Sequence, residues 1–188
     1  MKRCFGDDNE ISREYHDERW CRPVHDEKEL FAMLCLEGMQ AGLSWQTILN
    51  KEKDIRNAFD GFDIKKVASY DEADIERLLN NKKIIRNKAK IRCTVVNARA
   101  FLEVEEERGS FDSYIWSFTK GKRIIHHLSS FKDLPAQSAL SRKVSKDLTK
   151  RGFRFVGPTI IYSYLEGIGV IDDHLDGCPF KNLSETGV

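Results

Sequence analysis

Four side chains at the two ends of the sequence have the chemistry to hold one metal ion. Cys4 and His16 stand 12 positions apart near the start, while His174 and Cys178 stand four apart near the end, a spacing that puts the second pair on one helical face or around one turn. Brought together they make a closed Cys2His2 set. Nitrogen and sulfur donors favour zinc, and four protein ligands leave no open position, so such an ion is structural and ties the termini together. The competing reading is that the cysteines are small buried hydrophobes. Cys21, Cys35 and Cys93 have no comparable partners, and Cys35 falls in an apolar helical stretch, so these read as core. His126 and His127, beside Lys122 and Arg123, read as a solvent-side pair.

A second constellation surrounds Glu37. Leu30, Leu34, Glu37 and Ala41 share a narrow stripe at about 100° per residue, so the acid points where its apolar neighbours point. Burying a carboxylate there demands a partner, a proton or a ligand. Gly38 and Gly42 then permit close backbone approach, and Trp45 offers an aromatic plate. A carboxylate accepts from an exocyclic amine and an indole stacks on a flat ring, so the pair suits a purine better than a sugar or an acyl group. The alternative is that Glu37 neutralises an interior arginine and Trp45 fills the core.

A third feature is electrostatic. The net charge is only +1, yet residues 82–154 carry 18 Lys and Arg against 7 Asp and Glu, so a basic middle lies between acidic ends. Arg86, Lys88 and Lys90 belong to a run from 82 to 99 that holds no acid, and Arg142, Lys143, Lys146, Lys150, Arg151 and Arg154 form a second cluster. Two such clusters point to a polyanion, and nucleic acid fits best. Leu78 to Ile91 reads as helix, short turn, helix, with Asn80 and Asn81 able to take left-handed angles. Backbone N–H groups at that turn, followed by lysines, suit a phosphate without reading bases. An ordinary helical hairpin with exposed lysines is the bland alternative.

Helices must position these groups. Apolar spacing is helical nearly throughout, as in Ile91, Val95, Ala98 and Leu102, or Leu140, Val144 and Leu148, which predicts an all-α fold. Start and stop signals agree: Asp26 with Glu29 as a capping-box pattern, Ser44 before Trp45, Ser138 before Leu140, Gly152 after Arg151, and Pro158 at a first helical position. A length of 188 residues, 40% hydrophobic and 32% charged, fits one ordinary globular unit or two small lobes. The expected lobes are 1–66 with 155–188, bearing the metal ligands, and 67–154, bearing the hairpin. Glu166 and several glycines interrupt the longest apolar stretch, so no transmembrane helix is expected. The opening residues lack the apolar run of a secretory signal, and five cysteines are an odd number for a disulfide framework, so a reducing, cytoplasmic location is expected. A monomer is the expected state.

These pieces occur together in a recognisable order. The sequence resembles the bacterial type I 3-methyladenine DNA glycosylases of the helix-hairpin-helix superfamily. The resemblance runs from Arg3-Cys4 through Tyr15-His16-Asp17, Leu36-Glu37-Gly38, Gln40-Ala41-Gly42-Leu43-Ser44-Trp45 and Ile84-Ile85-Arg86-Asn87. It continues through Gly152-Phe153 and Phe155-Val156-Gly157-Pro158-Thr159 to Asp173-His174 and Cys178. It implies that Cys4, His16, His174 and Cys178 bind structural zinc, and that Tyr15, Glu37 and Trp45 form the pocket for an excised base, with Glu37 as the catalytic residue through its contact with that base. Gln40, Gly42 and Leu43 would enter the DNA, with Leu43 as the wedge, and Arg86, Lys88 and Lys90 would grip it. The implied partner is double-stranded DNA containing alkylated bases. The implied reaction is monofunctional hydrolysis of the N-glycosidic bond of 3-methyladenine, with no water-activating aspartate.

Three departures from the family pattern stand out. Its tryptophan two places after the first zinc cysteine is replaced here by Gly6, and Phe5 or Trp20 would supply the missing aromatic surface. Lys83 stands where a small residue is usual in the hairpin, and Arg19-Trp20-Cys21 lacks the usual flanking acid and glycine. The altered Phe5-Gly6 wall and Lys83 motivate one alternative, a catalytically silent zinc-stapled DNA-binding module.

Overall fold

Ten consecutive residues, Leu30 to Met39, are buried without a break, so the helix that carries them is surrounded on all sides. This is α2 (Glu27–Gln40), and in the computed structural model, which describes residues 3–7 and 9–181, the other helices are arranged about it. In chain order the helices are α1 (Glu10–Glu18), α2, α3 (Trp45–Ala58), α4 (Ile64–Ala68), α5 (Glu72–Asn80), α6 (Lys88–Arg108), α7 (Phe111–Ser117), α8 (Ala139–Lys150) and α9 (Pro158–Gly167). Short 3-10 turns cover Asp60–Phe62 and Phe131–Asp133. α2 packs against α3, α6, α7 and α9, and α8 packs against α9.

The helix starts follow the sequence signals. Asp26, Ser44, Asn87 and Ser138 each accept a backbone N–H from the first turn of α2, α3, α6 and α8. At α2 only half of the expected capping box forms, because the Glu29 carboxylate turns outward to receive both Arg56 amino groups at 2.9 and 2.7 Å. Pro158 opens α9 with its fixed φ, and Gly152 follows α8 at φ +90°.

The chain is mostly helical rather than wholly so. β1 (Ile124–Ile125) and β2 (Ile171–Asp172) pair in parallel, with Ile124 opposite Ile171 and Ile125 opposite Asp172. Two residues are too few to show alternation, which is why the sequence gives no sign of them. The pairing brings the segment after α7 beside the one that carries His174. Apolar side chains from all nine helices of the described residues form one continuous core. Residues 1, 2, 8 and 182–188, which the expected terminal lobe includes, lie outside the described residues.

Candidate active site

α2 ends at Gln40, and Gly42 turns the chain at φ +78° toward α3, whose first residue is Trp45. That sharp turn places Glu37 and Trp45 beside one cavity of about 410 Å³, with Tyr15 and Trp20 from the chain around α1 and with Phe5. Tyr15 and Trp45 meet with ring centroids 5.2 Å apart at 56°. Glu37 is 2% exposed, and its Oε2 has no hydrogen-bond partner. Trp45 Nε1 is likewise buried and unpartnered. Two orphaned polar atoms on one cavity are what a site for a polar, flat ligand requires.

The bland alternative for Glu37 fails on geometry. The interior guanidiniums are taken elsewhere: Glu52 receives Arg19 through two bonds of 2.8 Å and Arg56 Nε at 2.9 Å, and Asp172 receives Arg123 at 3.0 Å. Burial alone raises Glu37 from 4.5 to about 8, since nothing charged offsets its desolvation. Tyr15 is pushed up by burial first and by Glu37 second.

Gln40 lines the same cavity, and Leu43, 40% exposed, stands on the turn beyond Gly42 with its N–H donated to Gln40 O at 2.6 Å. Sequence reasoning missed several neighbours, among them Phe131, Tyr162 and Glu166. Phe131 lines the cavity from a loop, where no periodicity marks it. Glu166 lines it from α9, raised well above the carboxylate range by burial and then by Asp173 and Glu37. The signal for Glu166 was present, since an acid interrupts an apolar run there just as Glu37 does in α2.

The hairpin differs in detail from expectation. α5 stops at Asn80, and neither asparagine is left-handed; Asn81, at φ −79°, uses its Oδ1 to accept Lys83 N–H at 3.0 Å. Buried Ile84 anchors the turn, while Arg86 and Lys88 point to solvent. Lys90 does not join them. It is 8% exposed, and its ammonium donates to Met39 O and Ala41 O, so the expected phosphate grip is corrected to an internal brace under the turn that leads to Leu43. Of the second basic cluster, Arg142, Lys143, Lys146 and Lys150 are exposed, whereas Arg151 is taken by Glu107 and Asp147.

The chain ends converge as the ligand spacing suggested. Donor atoms of Cys4, His16 and Cys178 all lie within 4.8 Å of one another. His174 falls, at the same spacing, in an adjoining trio with Cys21 and Asp172. Asp17 and Asp172 each hold a histidine Nδ1 at 2.8 Å, His16 and His174 respectively, and the two rings stand 5.0 Å apart at 83°. His174 Nε2 is left buried with no partner. Carboxylates that fix Nδ1–H and free Nε2 are the usual outer support of a metal-binding histidine, so the donor set fits a soft divalent ion. His126 and His127 are engaged elsewhere, by Asp173 at 2.6 Å and Asp176 at 3.1 Å.

Comparison with known proteins bears directly on this arrangement. The family model described as methyladenine glycosylase matches residues 5–182. This chain belongs to that family. The methyladenine glycosylase described here is 42% identical over 168 residues to the DNA-3-methyladenine glycosylase of Haemophilus influenzae, covering 89% of this chain and 91% of that protein. It is 43% identical over 164 residues to DNA-3-methyladenine glycosylase 1 of Escherichia coli, covering 87% and 88%. A solved structure of a single-residue variant of 3-methyladenine DNA glycosylase I in complex with 3-methyladenine superposes with a TM-score of 0.92 at 36% identity, covering 95% of this chain and 96% of that one. Among the described residues of this glycosylase no helix is long and apolar enough to cross a membrane.

Proposed function

We infer that this chain is a DNA glycosylase that hydrolyses the N-glycosidic bond of 3-methyladenine in alkylated duplex DNA, releasing the base and leaving an abasic site for base excision repair. The observation that carries this reading is the unpartnered Glu37 Oε2 beside the unpartnered Trp45 Nε1 on a cavity roomy enough for a purine.

Methylation at N3 makes the base a cation and hence a good leaving group. The C1′–N9 bond breaks with its electron pair passing to the base, which discharges the positive charge; water adds at C1′ and releases one proton. No strong acid or nucleophile is required, so capture of the base supplies much of the catalysis. Leu43 fills the space the flipped nucleotide leaves, at an unstacking cost of a few kcal/mol that damage reduces. Trp45 and Tyr15 stack on the cationic ring, and Glu37, which gives up its proton as the cation enters, accepts from the exocyclic amine and balances charge.

Around this pocket the helix-hairpin-helix segment of α5 and α6, in a lobe of residues 67–154, rests on DNA phosphates through Arg86 and Lys88. In the lobe of residues 1–66 with 155–188, Cys4, His16, His174 and Cys178 would hold zinc. Zinc there supplies a structural staple and no step of the reaction. The reading places a monomer in the cytoplasm.

Incubating the protein with duplex DNA methylated at several positions, followed by chromatography of freed bases, tests the assignment. Release of 3-methyladenine is expected. DNA binding with no free base would instead identify a silent DNA-binding module, and a different freed base would identify a glycosylase of other specificity.

A further inference from the structure

Two large apolar side chains stay exposed beside the site, Leu43 at 40% and Phe131 at 39%. Leu43 has a place in the vacated duplex. Phe131 has no such role, and an exposed ring forgoes burial energy of about 25 cal/mol per Å². Its backbone is nonetheless fixed: Ser130 and Asp133 form a reciprocal cap around the 3-10 turn, which holds the ring at the cavity rim.

Its neighbours give the rim a chemical character. Trp20 lies nearly parallel to Phe131, 20° apart with centroids at 6.3 Å, and Phe5 meets it at 6.0 Å and 64°. All three rings line the cavity, and Leu134 and Pro135 continue the same apolar surface. The partnerless polar atoms of the cavity belong instead to Glu37 and Trp45. Position 6 cannot contribute to the wall. Gly6 lies at φ +91°, and a Cβ built there would sit 2.8 Å from the backbone nitrogen of Arg13, so this position has no room for a side chain. The wall must therefore be completed from elsewhere in the chain.

We propose that Phe131 is a specificity-determining contact of the base pocket, whose ring lies against the flipped methylated purine and completes the aromatic wall begun by Phe5 and Trp20. The inference rests on the excision reading above. It gives a ring that is costly to expose a ligand that covers it, and it assigns base recognition to the loop between β1 and α8. Aromatic face-to-ring contact with a cationic purine adds an electrostatic term that an aliphatic side chain lacks.

The test uses the full-length chain with Phe131→Ala, Phe131→Leu and Phe131→Tyr. Four quantities are read: affinity for free 3-methyladenine, kcat/KM for its release from methylated duplex, affinity for undamaged duplex, and Tm. For Phe131→Ala we expect kcat/KM to fall by about tenfold or more and affinity for the uncharged free base by about threefold or more, with undamaged-DNA affinity within about twofold. Phe131→Leu should fall between, Phe131→Tyr should stay near the unaltered protein, and Tm should hold for all three because the ring is outside the core. Base affinity and kcat/KM unchanged in both Phe131→Ala and Phe131→Leu would overturn the proposal, as would losses that track Tm or undamaged-DNA affinity. Failure of the unaltered chain to release 3-methyladenine overturns the excision reading and this inference with it, whereas release that Phe131→Ala leaves intact overturns this inference alone.

Discussion

The ammonium of Lys90 lies 2.5 Å from the carbonyl oxygen of Ala41, and it donates as well to Met39 O at 2.8 Å. Carbonyls at the C-terminus of α2 have no partners within the helix, and a cation there both satisfies them and complements the helix dipole. A residue from the start of α6 thus braces the turn between Glu37 and Trp45 that presents Gln40 and Leu43. This side chain is one of the links between the hairpin and the pocket, beside Lys51 of α3, which donates to Lys83 O at 2.9 Å.

Lys90→Met should therefore behave unlike Lys88→Ala. The methionine keeps the volume and loses the brace, so 3-methyladenine release should fall several-fold while the salt dependence of binding to undamaged DNA stays as it was. Removing exposed Lys88 should leave release from saturated DNA intact and lower the slope of log affinity against log salt by about one. Titrations of both variants across a salt series check this, and a reduced slope for Lys90→Met would return that lysine to the phosphate contacts.

This residue also marks where the sequence stops being legible. The stripe containing Glu37 was readable because burial of a helix face follows from periodicity, and the terminal Cys and His pairs were readable because their chemistry is distinctive at any distance. Lys90 was not, since a lysine in a basic run looks exposed until the neighbouring helix end is known. The asparagines of the hairpin suggested left-handed angles, but Asn81 satisfies the turn with its side chain at an ordinary φ. Phe131 lies in a loop whose course depends on the β1 and β2 pairing, and two-residue strands leave no pattern to read.

Stability should carry the signature of the buried acid. Glu37 titrates near 8 in the fold and near 4.5 when unfolded. The folded state holds on to a proton that the unfolded chain releases, so this group disfavours folding increasingly as pH rises from about 4.5 to 8, by at most ~1.4 kcal/mol per unit, and then levels off. Glu37→Gln removes that term. Denaturation of both proteins at pH 5 to 8 should show the variant gaining over the parent as pH climbs, and a gap that is flat or narrows would contradict the isolation of Glu37.

Metal content offers a separate check on the joined termini. We expect one zinc per chain by elemental analysis, retained through purification. Cys178→Ser should lose the metal and lower Tm by on the order of 10 °C, with chelation of the parent producing a similar fall. Absence of zinc together with an unchanged Tm in the variant would remove the staple.

The most direct test of the account is calorimetric titration of 3-methyladenine into the parent protein and into Glu37→Gln. Saturable binding of one base per chain is expected for the parent, weakened about 30-fold or more in the variant above pH 8, where Glu37 is ionised, because a charged acceptor facing a buried amine contributes roughly 2 kcal/mol or more. Equal affinity in the two proteins, or no binding by either, would contradict the claim that this buried acid captures the damaged base.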